Sequence, residues 1–265
     1  MRYIIANTLN DALKLKKENP TFSPLFGGTD TVLKLKTDEI KGIIDITRLE
    51  ELKYIDRVND EIVIGALTTI NTIITDNSIH KNIPLLRDAG KEFASHQIRN
   101  IASLGGNIAN ASPVADLIAP LLVLETKVTL QSYQGKRTIP LHQLFLGFKS
   151  LDIHDEIITS FTIPIEQHQY YYRKVGVRAK LNISKLSLAL VKKNNYFFIS
   201  GASLNPYIER FTHLETLLNS GNYNDTEIQE SLEKDISPSS SFRSTKEYRT
   251  KVLFNLIQDA LSKLQ

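Results

Sequence analysis

The sequence predicts an α+β chain in two units, and three features point to it. Over residues 1–52 short apolar runs alternate with segments of helical period; from 53 onward apolar runs pair across turn residues; past Pro164 a group of strands is followed by helices alone. At 265 residues the chain is long enough to bury two cores. The expected boundaries are 1–166 and 167–265, with the first unit subdivided near 52/53.

In order, Tyr3–Ile5 is a predicted strand, Asn10–Lys17 an amphipathic helix, Pro24–Phe26 a strand, Thr29–Lys36 a helix and Gly42–Ile46 a strand. This β-α-β-α-β run implies a small sheet packed with helices. Tyr54–Val58 and Glu61–Gly65 flank the turn residues Asn59 and Asp60 as a hairpin. Helices are expected over Thr69–Thr75 and Lys81–Ser95, and a helix start at Ser112-Pro113, with serine as N-cap, proline in the first helical position and Asp116 about one turn in. A second hairpin, Lys127–Ser132 with Arg137–Leu141, turns at Gln134-Gly135, and a strand runs from Glu156 to Ile163 before Pro164. Beyond it come strands from Tyr170 to Val175, on both sides of Asn194-Asn195 and on to Leu204. Helices over His213–Asn219, Thr226–Glu233 and Thr245–Leu264 close the chain, with Ser237–Ser241 a loop.

Two glycine pairs carry the chemistry. Phe26-Gly27-Gly28-Thr29-Asp30 and Ser103-Leu104-Gly105-Gly106-Asn107 each follow apolar residues and lead into small polar ones. Adjacent glycines can take positive φ and leave their N–H groups uncovered, so the backbone itself can close around a phosphate. One such pair is ordinarily a tight turn; two in the same setting favour an anion site. Asn107, Asn110 and Ser112 add side-chain donors and acceptors beside the second. A dinucleotide loop of the G-x-G-x-x-G kind is excluded, because Gly27-Gly28 lacks the third glycine and no acidic residue stands where the ribose contact requires one.

Composition removes other classes. The chain has no cysteine, which rules out disulfides, thiolate catalysis and a cysteine-ligated iron–sulfur cluster or zinc site on this polypeptide. Net charge is +3, from 32 basic and 29 acidic residues spread along the chain, so neither nucleic acid nor a membrane is expected as a partner. The first residues, MRYIIANTLNDALKLKK, lack the greasy stretch of a signal peptide, and no apolar run would span a bilayer. A cytoplasmic location is expected.

The segments PLFGGTDTVLKLK, IASLGGNIANASPVADLIAP, DEIITSFTIP, YRKVGVRAKLNISK and FRSTKEYR, in this order and spacing, resemble the FAD-binding (middle) subunit of the molybdenum hydroxylases, the xanthine dehydrogenase, aldehyde oxidoreductase and carbon monoxide dehydrogenase family. The resemblance implies a two-subdomain FAD-binding domain of the vanillyl-alcohol oxidase and p-cresol methylhydroxylase type, followed by a small C-terminal α+β domain of a three-stranded sheet and helices. It further implies that Leu25, Phe26, Gly27, Gly28, Thr29, Asp30 and Thr31 hold the pyrophosphate, and that Ala102, Ser103, Gly105, Gly106, Asn107 and Asn110 line it from the other side. Asp116 is implied to bind a ribityl or ribose hydroxyl, Phe93 and Ile158 to pack on the rings, and Lys174 to stand near the isoalloxazine. No residue is expected to be catalytic in its own right, and none to bind a metal. The molybdenum cofactor is expected on a large partner subunit and 2Fe-2S clusters on a small one, in a dimer of heterotrimers, with NAD+ or another acceptor taking the electrons. Asn182 stands where the family usually has an acidic residue and Phe148 where it often has tyrosine. Two other readings are a flavin- or nucleotide-binding scaffold and a reductase of the UDP-N-acetylenolpyruvoylglucosamine type; the latter needs a proton donor beside the flavin, for which the sequence offers no candidate.

Overall fold

The computed structural model of the chain describes residues 2–35, 40–178 and 183–264. Asn182 lies outside them, as does the end of the helix expected over Thr29–Lys36. The fold is α+β. The first segment builds a parallel three-stranded sheet from β1 (Arg2–Ile5), β2 (Ser23–Leu25) and β3 (Gly42–Asp45), with β3 in the middle. Between β1 and β2 runs α1 (Leu9–Glu18), fixed at its start by a capping box in which Thr8 and Asp11 serve each other's backbone N–H. Ala12 and Leu13 of α1 join Phe22, Ile44 and Ile46 in a separate small core. Helix α2 (Thr31–Lys34) is a single turn.

The second sheet is antiparallel, ordered β4 (Ile55–Val58), β5 (Glu61–Gly65), β10 (Ile157–Pro164), β6 (Lys127–Ser132) and β7 (Gly135–Pro140). Both predicted hairpins are present. Central β10 carries a bulge between Ile158 and Ser160, one residue out of register with β6, and bulges of this kind bend a strand and re-aim its side chains. A two-stranded ribbon, β8 (Phe145–Gly147) with β9 (Ser150–Leu151), stands beside it. Helices α3 (Ile70–Thr75), α4 (Asn77–Asn82), α5 (Pro84–Glu92), α6 (His96–Arg99), α7 (Leu104–Ala109) and α8 (Ile118–Val123) fill the connection from β5 to β6.

Two helix expectations are corrected here. The single helix over Lys81–Ser95 is broken, because Pro84 has no N–H to donate and opens α5 as its first residue, while Ser95 caps α6. The helix expected from Ser112-Pro113 does not form. Ala111 has φ of 45°, Ser112 accepts from the Val114 N–H in a tight turn, and the next helix, α8, begins only at Ile118. The bend places Asp116 before the helix instead of in its first turn.

The third sheet has β11 (Gln169–Val175), β12 (Leu186–Lys193) and β13 (Tyr196–Ala202) in sequence order, flanked by α9 (Thr212–Asn219), α10 (Asp225–Asp235) and α11 (Lys246–Lys263). Its outer face, with Tyr171, Leu188, Leu190 and Ile199, packs on these helices, whereas Ala189, Val191 and Ala202 belong to the core of the second sheet and α8. The inner face also carries charge across the seam. Tyr170 donates to Asp88 at 2.7 Å, Lys174 to Asp116 at 2.8 Å, and Lys193 to Glu125 and Glu166.

Candidate functional site

A cleft of about 480 Å3 opens between the first and second sheets. Phe26, Gly27, Gly28, Thr29, Asp30 and Thr31 line one side, Ala102, Ser103, Gly105, Gly106, Asn107 and Asn110 the other, and Phe93 and Ile158 contribute apolar wall. The bulge in β10 lies at this wall, so that both Ile157 and Ile158 reach the cleft. Leu25, Asp116 and Lys174 do not line it.

The two glycine pairs do different work. Gly28 has φ of 67°, and the amides of Gly27, Gly28, Thr29 and Asp30 donate no hydrogen bond among the described residues. They are open donors at the start of α2. Gly27 is required for another reason: a Cβ there would stand 1.9 Å from the Ile101 carbonyl oxygen, so only glycine lets the two lining segments touch. By contrast, Gly105 and Gly106 lie inside α7 without positive φ, which corrects the expectation of a second open nest. The first-turn amides of α7 are already taken. Leu104 donates to Thr68 O, Gly105 to Ala66 O at 2.8 Å, Gly106 to the Ser103 hydroxyl and Asn107 to Ser103 O. Ser103 is the true N-cap here, and a Cβ on Gly105 would come within 2.8 Å of Ala66 O. The pair serves close packing of helix on strand, while Gly106 leaves its outward side open to the cleft.

The two lining segments are tied together by Asn110, whose amide donates to Asp30 at 3.0 Å and accepts from Lys34 Nζ at 2.9 Å. Asn107 leaves its side-chain oxygen buried and, among the described residues, without a partner at the cleft. Sequence reasoning missed Lys16, Lys34 and Glu156. Lys16 borders the cleft, but its ammonium is turned to the Pro20 and Phe22 carbonyls, and burial lowers its pKa. Glu156 is held by Arg137 at 2.7 and 2.8 Å, and the same guanidinium grips Asp152 at 2.7 Å, fixing the segment that brings Leu151, Ile153 and Glu156 to the cleft. Nothing in residue spacing points to an arginine on β7 as the anchor for the segment that leads into β10.

Asp116 and Lys174 form a buried ion pair behind the Phe93 wall. Lys174 donates to Asp116 Oδ2 at 2.8 Å and to the Glu92 carbonyl at 2.9 Å, and its side chain is 3% exposed. Burial pushes the Asp116 carboxyl up to about 6; the nearby ammonium opposes that rise and the Glu92 charge adds to it. Its other oxygen, Oδ1, has no partner among the described residues. Tyr172, on the same strand face, is pushed well above its ordinary value by burial and by Asp116 and Glu92. Phe148, in contrast, is an exposed residue between β8 and β9.

The arrangement suits a ligand with a diphosphate and an extended polar and aromatic body: open amides with a glycine at positive φ, an unpartnered amide oxygen and an apolar wall. Among the described residues, no group of His, Cys, Asp and Glu could hold a metal, and no helix is long and apolar enough to cross a membrane.

Comparisons with known proteins agree with this chemistry. Residues 1–166 match the family model described as the FAD binding domain in molybdopterin dehydrogenase. The xanthine dehydrogenase FAD-binding subunit of Escherichia coli O157:H7 is 30% identical, over 98% of this chain and 94% of that one. The glyceraldehyde dehydrogenase medium chain of Sulfolobus acidocaldarius is 31% identical over 73% of this chain and 70% of its own length. Among solved structures, carbon monoxide dehydrogenase from Hydrogenophaga pseudoflava superposes with a TM-score of 0.92 at 23% identity, covering 100% of this chain and 96% of that one, a likeness of fold. The chain thus belongs to the family of FAD-binding domains of the molybdopterin dehydrogenases, oxidoreductase subunits of the xanthine and carbon monoxide dehydrogenase type.

Proposed function

We propose that this chain is the electron-transfer subunit of a multi-subunit molybdenum hydroxylase, taking electrons from iron–sulfur clusters on a small subunit and delivering them to NAD+ or another acceptor. The observation that carries the reading is the set of open amides at Gly27–Asp30 facing a cleft of about 480 Å3, in a chain of this family that has no cysteine to hold a cluster itself. Bound FAD supplies an isoalloxazine able to accept and release electrons singly or in pairs. The protein binds and orients. The Gly27–Asp30 amides hold the diphosphate without a lysine, Asn107 and Asn110 take hydroxyl contacts, and Phe93 and Ile158 pack on the rings and keep water off. Asp116 and Lys174 stand one layer behind.

A large subunit with the molybdenum cofactor completes the assembly, as a dimer of heterotrimers in the cytoplasm, and selects the hydroxylated substrate. The chain itself divides at about 166, with a further division near 52, which the separate small core of the first sheet and the end of the family match both support. The test is anaerobic stopped-flow of the purified, flavin-loaded chain. Bleaching of the flavin by NADH, with no turnover of purine or aldehyde, supports NAD+ as acceptor; no bleaching, but reoxidation of the dithionite-reduced protein by a quinone, rejects NAD+. Recovery of FMN alone after acid release would reject the diphosphate assignment.

A further inference from the structure

We propose that Arg249, the last residue of FRSTKEYR, is a positioning residue: it holds Ser203 in the left-handed conformation that docks the end of the third sheet onto the bend closing α7 at the cleft. Ser203 follows β13 directly and has φ of 66°, a conformation that a residue with a Cβ keeps only where its surroundings impose it. Both of its backbone polar groups are committed. Its N–H donates to the Pro113 carbonyl at 2.7 Å, across the seam between the two units, and its carbonyl accepts from Arg249 Nη1 at 2.6 Å. A charge-assisted bond of this length, made by a buried guanidinium, holds one geometry.

The rest of the motif holds the arginine. Ser241 and Ser244 pair through their backbones, and their hydroxyls accept from Arg249 Nη2 at 3.1 Å and Nε at 2.9 Å, so all three nitrogens of the planar fork are engaged and its orientation toward Ser203 is set. Thr245 caps α11, which carries the arginine, by accepting from the Tyr248 N–H at 3.2 Å. The Lys185 ammonium lies over the Tyr248 ring, 4.8 Å from its centroid, and the neighbouring Ser184 carbonyl accepts from the Ser203 hydroxyl at 3.4 Å. On the other side of the seam, Pro113 belongs to the bend in which Ala111 also has positive φ, 45°. That bend follows directly on Asn110, the residue that ties the two lining segments of the cleft together. Arg249 does not line the cleft, yet from the last helix it fixes where the end of α7 stands.

The inference rests on the flavin reading only for its affinity arm. The experiment is amide hydrogen exchange, read residue by residue by NMR on the full apo chain, with FAD titration alongside, for Arg249→Met, Ser203→Gly and the two combined. In Arg249→Met, exchange at the amide of residue 203 is expected to rise about tenfold and FAD affinity to fall about threefold, as one charge-assisted bond is lost. Glycine takes positive φ without strain, so the combined variant should return both quantities to within about twofold of Ser203→Gly alone. That rescue separates control of one turn from a general loosening of the C-terminal helices, which glycine at 203 would not repair. Should Arg249→Met fail to fold, Ser241→Ala with Ser244→Ala carries the test: it frees the guanidinium at an exposed and a half-buried position and should give a rise of about threefold, again removed by Ser203→Gly. Unchanged exchange at 203, a rise that Ser203→Gly leaves in place, or wild-type FAD affinity beside raised exchange overturns the proposal. If the wild-type chain bound no FAD, the flavin reading would fall while the exchange and rescue results stood.

Discussion

Gly105→Ala and Gly106→Ala, one residue apart in the same helix, should fail in opposite ways. At Gly105 the new methyl meets Ala66 O at 2.8 Å and Ala66 Cβ at 2.9 Å, and the Gly105 amide is itself bonded to that oxygen, so α7 must retreat and stretch the bond. Overpacking against backbone costs about 1–3 kcal/mol and the weakened hydrogen bond about 1 more, for roughly 2–4 kcal/mol in all. At Gly106 a methyl meets only the Ser103 hydroxyl at 3.1 Å, with nothing else within 4 Å. Its helical φ lets alanine recover up to about 1 kcal/mol of helix propensity, so the apo chain should stay within about 1 kcal/mol of wild type. That methyl instead occupies the cleft, and FAD affinity should drop at least roughly tenfold, the equivalent of about 1.4 kcal/mol. Urea denaturation of the apo proteins, followed by circular dichroism, measures the first quantity and fluorescence titration with FAD the second. Equal destabilisation by both variants, or wild-type FAD affinity in Gly106→Ala, would refute the division of labour assigned to the pair.

Two further outcomes follow from the charged groups. Because folding raises the Asp116 carboxyl from 3.8 to about 6, the native state holds its proton more tightly; the associated stability, about 3 kcal/mol, is fully present below about pH 4 and lost as pH rises through 6. Asp116→Asn should remove that slope between pH 4 and 7 in urea midpoints, and a difference curve flat across this range would contradict the burial argument. Arg137→Met should cost only about 1 kcal/mol, since the guanidinium side chain is 36% exposed, yet it should make the 152–156 segment newly sensitive to limited proteolysis.

Legibility in the sequence followed the range of the interaction. The strands of the three larger sheets and both hairpins could be read because each is set by alternation and by turn residues within a few positions, whereas the short ribbon of β8 and β9 was not. Pro84 could have been read too, but the apolar period running through it masked the break. The glycine pair in α7 misled for a physical reason: glycine is a poor helix former, and its presence there is explained by Ala66, about forty residues earlier, whose carbonyl leaves no room for a Cβ. Ser103, read only as part of a loop, is the N-cap that starts this helix. The cleft residues contributed by the two glycine segments were legible as motif, whereas the bond from Lys174 on β11 to the Glu92 carbonyl joins packed elements 82 residues apart. Local pattern carries no trace of such meetings.

The inner face of the third sheet has a consequence for synthesis. Its tyrosine and lysines are the partners of Asp88, Asp116, Glu125 and Glu166, and its apolar residues complete the core around α8. All four carboxylates and the α8 surface leave the ribosome first. At about 5–20 residues per second, residues 167–265 take on the order of 5–20 s to follow. Throughout that interval the nascent first unit presents a greasy, acid-rimmed seam to its surroundings, so a chain stalled or truncated near residue 166 should be a substrate for chaperones and proteases.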